Sequence, residues 1–395
     1  MDKKSTGEKN KRYYDFTLLF IVLFLLTFGL IMVYSTSSYN ASLDFEGDSL
    51  YYFRKQLISV AVGLCVMFIT TFMPYKIYSK LYWPAYLVGF ISVMLILSPL
   101  GYEANGARRW LRIAGLSIQP SELCKLCIII FVAALLAKMG PNVRAGWKGF
   151  WFPIFPTGIV CGLILFLTSN LSSALIIALI AVMMILIGEK KNIWPVIALT
   201  TMVTVCVFVV LFVVNGWLPA GVSYRFERIL AWRNLEAYAD GKGMQVLQGM
   251  YGIGSGGVWG KGLGKSMQKL GFLPEAQNDM IFSIICEELG IVGGLSVIMT
   301  FILLLWRIRD ITVHTRDYFG NLLVSGVFIH IAVQVILNIC VVTNVIPNTG
   351  ISLPFISYGG SSVIFLLAEI GIVMNVGRHS RFVEDVADGE ESTEA

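Results

Sequence analysis

Long apolar runs alternate with short polar connectors along this chain, and the runs set the fold. An apolar stretch of roughly 18 or more residues is by default a bilayer-crossing helix. The sequence has about ten such runs, near residues 16–34, 56–72, 82–97, 120–137, 154–167, 171–187, 193–214, 280–306, 322–342 and 355–376. In lipid only helices and closed barrels satisfy every backbone polar group. These runs are too long for barrel strands, so the pattern predicts an all-α, polytopic membrane bundle. The first run lacks a small-residue cleavage site behind it, and we read it as a retained span.

Charge in the connectors orients the bundle. Residues 1–14 form a basic tail (Lys3, Lys4, Lys9, Lys11, Arg12), which the positive-inside rule places in the cytoplasm. Alternation then puts Lys76 and Lys80, Lys138 to Lys148, Lys190 and Lys191, Arg307 to Arg316, and Arg378 and Arg381 on the same side. The transmembrane domain is expected over residues 15–378, with a long outer loop at about 215–279 between spans seven and eight. That loop holds Trp232, Tyr238, Tyr251, Trp259 and Phe272, so we expect an ordered piece with short helices on the membrane. Residues 379–395 form an acidic cytoplasmic tail, expected to be unstructured. With 56% hydrophobic and 14% charged residues, no soluble domain fits. The net charge of +5 is dispersed, which argues against nucleic acid. The seven cysteines all lie in apolar runs and read as small buried hydrophobes, the Cys124-x-x-Cys127 pair included.

Two outer connectors break the charge rule: Arg108, Arg109 and Arg112 in one, and Arg225, Arg228, Arg233, Lys242, Lys261, Lys265 and Lys269 in the long loop. An anionic head group such as pyrophosphate accounts for them, because arginine grips phosphate in bidentate fashion. Lipid head groups or pairing with Glu227, Glu236 and Asp240 are the plainer alternative. Glu122 and Lys125 share a helix face inside span four, where ionisable groups are costly, and read as a pair lining a polar cavity. Asp279 opens span eight, either as a helix cap or as a general base or metal ligand facing a cleft. Ser283 and Glu287 are expected below it on one helix face, with Glu288 turned elsewhere. Glu369 has no partner apparent from sequence, and His314, His330 and His379 suggest no catalytic arrangement. The glycines of residues 252–264 match no nucleotide-binding spacing and read as a flexible or tightly turning loop.

Several of these stretches resemble the SEDS family (shape, elongation, division and sporulation), the FtsW and RodA glycosyltransferases. They are Asn105-Gly-Ala-Arg-Arg-Trp110, Gln119-Pro-Ser-Glu122 with Lys125, Tyr224-Arg-Phe-Glu-Arg-Ile229, and Gly254-Ser-Gly-Gly257 with Gly260-Lys-Gly-Leu263. Leu273-Pro-Glu-Ala276 with Asp279, Glu287-Glu-Leu-Gly290 and Pro354-Phe-Ile-Ser-Tyr-Gly-Gly-Ser-Ser362 continue the match in order. Gln277-Asn278 and Asn234-Leu235 depart from the usual His-Thr and Asp-Pro.

The resemblance implies an enzyme of the cytoplasmic membrane that polymerises lipid II into glycan strands on the outer face and releases undecaprenyl pyrophosphate. It implies Asp279 as the base and Arg54, Gln56, Asn105, Arg109, Trp110, Glu122, Lys125 and Glu275 as substrate-binding positions. No organic cofactor is implied; a divalent cation, Mg or Mn, is allowed for, with Asp279 as its ligand. The implied partners are a class B penicillin-binding protein transpeptidase and proteins of the divisome or elongasome. Leu-Pro-Glu-Ala and Gln268-Lys269-Leu270 lean towards an FtsW-like role in division, with an elongation or sporulation paralogue as the alternative. A lipid II flippase is the rival from another class, but the ionisable cluster lies at the outer mouth rather than at the midplane sites typical of transporters.

Overall fold

The computed structural model describes residues 14–104, 107–113, 116–189, 191–215, 224–241 and 243–394. Its helices are α1 (Phe16–Asp44), α2 (Tyr51–Phe72), α3 (Lys76–Lys80), α4 (Tyr82–Met94), α5 (Pro120–Lys138), α6 (Pro141–Ala145) and α7 (Trp147–Leu167). They continue with α8 (Leu171–Gly188), α9 (Trp194–Val214), α10 (Tyr224–Arg233), α11 (Met244–Gly256), α12 (Ile281–His314), α13 (Tyr318–Val342) and α14 (Gly360–Glu394). Among the described residues nine helices are long and apolar enough to cross a membrane, and the shorter Tyr82–Leu97 segment supplies the tenth. The chain is a multi-pass membrane protein.

Side chains close the helix ends where the sequence changes from polar to apolar. Asp15 caps α1 by accepting from Leu18 N at 3.0 Å, Asn170 caps α8 through Ser173 N at 3.1 Å, and Asp317 caps α13 through Gly320 N at 2.9 Å. Pro120 stands in the first turn of α5, where its missing N–H costs nothing. α7 starts before the expected boundary and carries Pro153 and Pro156 inside it, a placement that membrane helices tolerate when neighbours meet the freed groups. The backbone of α14 stays helical to Glu394, where an unstructured tail was expected; no proline interrupts it.

Helices α5, α13 and α14 are the buried centre, and α9 rides at the periphery. α2 lies against α14 through small residues. A Cβ added to Gly371 would fall 1.9 Å from Thr70 Oγ1, so only glycine permits this approach.

The outer connector that holds Arg108, Arg109 and Arg112 carries a small antiparallel sheet in the order β1 (Gly101–Ala104), β2 (Ala107–Ile113) and β3 (Leu116–Ile118). Tyr102 pairs with Trp110, and Leu111 with Ile118. Leu111 is buried while Arg108 and Arg112 are exposed, the period-two pattern of a half-buried strand.

The long outer loop is ordered around α10 and α11. Gly252 and Gly254 belong to α11, so part of the glycine stretch is helix rather than loop. The rest docks into a break in α12. Gly290 has φ 72 and ψ −171 inside that helix. Lys261 N and Gly262 N donate to the carbonyls of Glu287 (3.0 Å) and Glu288 (2.9 Å), and Ile291 N donates to Gly257 O at 2.9 Å. A Cβ at Gly290 would sit 2.2 Å from Val258 O. The glycines are there because two backbones touch.

Candidate active site

Asp279 lies in the turn ahead of α12, not on the helix; Met280 takes the cap position, without a capping side-chain bond. The cap reading of Asp279 is therefore set aside, and with it the expectation that Ser283 and Glu287 lie below it on one helix face. Asp279 is 9% exposed. Its Oδ1 accepts from Gln245 Nε2 at 2.9 Å, and the Gln245 carbonyl accepts from Asn348 Nδ2 at 2.8 Å. Asn348 is fixed in turn by Gly350 N, at 2.9 Å. Asn338, on α13, donates to the backbone oxygens of Asp279 (2.8 Å) and Ile351 (2.7 Å). Burial lifts the Asp279 carboxyl from an ordinary 3.8 to about 7. The charge of Glu275 pushes the same way, while its own backbone N–H, Arg228 and Gln245 act against the rise.

Among the described residues Arg228, from α10, is a cation whose charge bears on Asp279, and it also donates to Asn348 O at 3.2 Å. Arg109, a substrate-binding candidate, reaches the α7–α8 turn: Nε donates to Thr168 O at 2.9 Å and Nη2 to Ser169 O at 3.0 Å. Trp110 stands on β2 across from Tyr102. Arg54 pairs with Asp48. Gln56 is 1% exposed, and its amide holds the backbone of Ser357 (3.3 Å) and Gly359 (3.2 Å). Glu275 has φ 53 and accepts from Asn278 Nδ2. Asn105 lies outside the described residues.

Glu122 and Lys125 meet at 2.7 Å inside α5, both buried. Glu369 does have a partner: His330 Nδ1 is 2.8 Å from its Oε2, and the pair lies close enough for His330 to act on Glu122. The sequence held a signal for this. His330, Gln334 and Asn338 recur every fourth residue on span nine, one face of one helix. That face runs from the inner pair at Glu369 to the backbone of Asp279. Gln245 and Asn348 carried no such signal, because nothing local marks either against its loop.

Lys261 and Lys269 were candidates for an outer anion. Instead they meet Glu287 and Glu288, each at 2.7 Å, and Glu288 also accepts from Ser35. Among the described residues no group of three or more His, Cys, Asp or Glu side chains converges on a metal position. The acids near Asp279 are its own carboxylate and Glu275. That set suits a divalent ion only where a substrate phosphate completes its shell.

A family model for the FtsW/RodA/SpoVE cell cycle proteins matches residues 16–382. This chain belongs to that family. Among FtsW/RodA/SpoVE relatives, stage V sporulation protein E of Bacillus subtilis is 37% identical over 376 residues, covering 93% of this chain and 98% of that protein. A probable peptidoglycan glycosyltransferase FtsW of Trichlorobacter lovleyi is 35% identical over 92% of this chain and 93% of its own length. Among solved structures, a chain from a peptidoglycan synthase complex that coordinates polymerization and crosslinking superposes with TM-score 0.73 at 26% identity, covering 93% of this chain and 98% of its own. The rod shape determining protein RodA of Thermus thermophilus gives TM-score 0.64 at 26% identity over 94% and 98% of the two chains.

Proposed function

We propose that this FtsW/RodA/SpoVE protein is a peptidoglycan glycosyltransferase that polymerises lipid II on the outer face of the bacterial cytoplasmic membrane. The observation that carries the reading is Asp279: a carboxyl with an acidity near 7, held by Gln245 at the outer mouth of the bundle. A general base works best when its pKa lies near the working pH. Asp279 takes the proton of an acceptor sugar hydroxyl as that oxygen bonds to the donor's anomeric carbon. The donor's bond to oxygen breaks, and undecaprenyl pyrophosphate leaves with the bonding electrons. Lys125, Arg109 and Arg228 are the cations we assign to the pyrophosphate, whose charge grows as it leaves. Asp279 and Glu275 are the carboxylates that would hold a Mg or Mn ion, which would supply positive charge to offset that of the leaving pyrophosphate. A membrane-embedded enzyme suits this chemistry because the lipid tails stay in the bilayer while the sugars react at its surface.

For partners we propose a single-span class B penicillin-binding protein and the division machinery; the sporulation relative supports a sporulation role as the second reading. The deciding experiment gives the purified chain lipid II, with Mg, Mn or EDTA, and with or without a candidate transpeptidase. Wild type makes polymer, and Asp279→Asn, properly inserted, loses about 10²- to 10⁴-fold in rate. A fully active Asp279→Asn removes the base from the reading. Scrambling of lipid II across liposomes without any polymer turns it into a transporter.

A further inference from the structure

Aromatic rings from three separate segments meet at the outer ends of α2 and α14, and a fourth segment brings Tyr102 near them. Phe45 comes from the α1–α2 turn, Tyr51 and Tyr52 from the first turn of α2, Tyr358 from the loop before α14, and Tyr102 from β1. Phe45 stacks on Tyr51 with centroids 3.6 Å apart and planes 16° apart. Tyr52 stands edge-on to Tyr358 at 5.1 Å and to Tyr51 at 5.4 Å. Tyr102 is near enough to act on the Tyr358 hydroxyl, and Trp110 pairs across the sheet from Tyr102. Cations line the edge: Lys55 Nζ is 4.2 Å from the Tyr51 ring centre, and the Arg112 guanidinium 4.8 Å from that of Tyr102.

This cluster belongs to the Asp279 loop. Tyr358 N donates to Gln277 O at 2.9 Å, two residues before Asp279. The charge of Glu275 reaches both Tyr52 and Asp279. Tyrosines of an ordinary interfacial belt reach singly towards lipid head groups. Phe45, Tyr51, Tyr52 and Tyr358 instead pack on one another, half-buried, and the Tyr358 backbone is bonded to the loop that holds the carboxyl.

We propose that Phe45, Tyr51, Tyr52, Tyr102 and Tyr358 form a carbohydrate platform that stacks the pyranose rings of the glycan beside Asp279. Sugar rings present C–H groups on a face and hydroxyls around the rim. Half-buried tyrosines match both, with an apolar body and a polar tip. The assignment rests on the polymerase reading, and the test separates the two.

Tyr52→Leu and Tyr358→Leu remove a ring, whereas Tyr52→Phe and Tyr358→Phe restore it. In the lipid II assay the leucine variants are expected to raise KM about tenfold, with a smaller effect on kcat. The phenylalanine variants recover most of that loss. Wild-type KM in both leucine variants, or phenylalanine variants as impaired as leucine, overturns the platform. A second arm needs no catalysis: saturation-transfer NMR of chitotetraose with the detergent-solubilised chain. Transfer to the sugar C–H protons is expected for wild type and Tyr52→Phe, and its loss for Tyr52→Leu. Binding by a wild type that makes no polymer sinks the polymerase reading and keeps the platform. Polymerisation with no ring-dependent binding, and unchanged KM in the leucine variants, does the reverse.

Discussion

A carboxyl with an acidity near 7 is half ionised at neutral pH, so small changes around Asp279 decide its state. A base must be deprotonated to act, and the rate is expected to rise with pH through about 7 and level off above it. Gln245 donates to the ionised form. Gln245→Leu removes that donor and favours the protonated acid, so the acid limb of kcat/KM moves up by about one pH unit. An unmoved limb would separate Gln245 from the base. Stability runs the other way. Burial disfavours the charged carboxylate, so Asp279 weakens the fold as pH rises from its ordinary 3.8 through about 7. Asp279→Asn stays neutral throughout. It is expected to melt higher than wild type at pH 8, with the gap narrowed at pH 5 and gone below about pH 3.8, as read by thermal unfolding in detergent. Asp279 itself stood out beforehand as a candidate, because an acid at the rim of an apolar span has few innocent roles. Its neighbours were not. Gln245, Arg228 and Asn348 reach Asp279 from separate parts of the fold, and only tertiary packing sets such distances.

The element that ties the outer surface together is the broken helix α12 with the glycine loop seated in its break. Glu287 and Glu288 are adjacent, so they leave the helix in different directions, one towards Lys261 and the other towards Lys269. The two pairs clamp both ends of the loop. Lys269 is 5% exposed and Glu288 fully buried, so Glu288→Ala strands a buried ammonium and is expected to cost about 3–5 kcal/mol. Pairing Glu288→Leu with Lys269→Met removes both charges and should recover most of that loss, since an apolar pair of similar volume is often no less stable. If the double variant melts no higher than Glu288→Ala, the pair does more than balance charge. Gly290→Ala puts a side chain at φ 72 against Val258 O, for a loss of about 1–3 kcal/mol. The spans on either side of this clamp were legible because bilayer thickness fixes a helix's apolar length. The clamp was not: a glycine run reads as freedom until the backbone that presses on it is known. The small sheet escaped for a related reason, since its strands are short and β2 carries three arginines, so no long apolar run marks it.

Across the whole molecule the charge rule holds on the inner side and meets its exceptions on the outer side. Positive charge there runs against the orientation signal, and much of it is engaged within the fold. Lys261 and Lys269 meet Glu287 and Glu288, Arg109 meets the carbonyls ending α7, and Arg54 meets Asp48. The inner lysines Lys76 and Lys80 sit on the short exposed helix α3, where they can act on the membrane surface as topological signals. Orientation should therefore follow the inner loops. In a cysteine-free background, cysteines at Glu46 and Ser169 are expected to react with a membrane-impermeant maleimide in intact cells, and cysteines at Lys76 and Arg316 only after permeabilisation. Replacing Lys76 and Lys80 with glutamine should leave this pattern intact, because the basic residues of the other inner loops, Lys148, Arg309 and Arg316 among them, remain. Labelling of position 316 from outside intact cells would invert the bundle, and Asp279 would then open on the cytoplasm, away from any extracellular glycan.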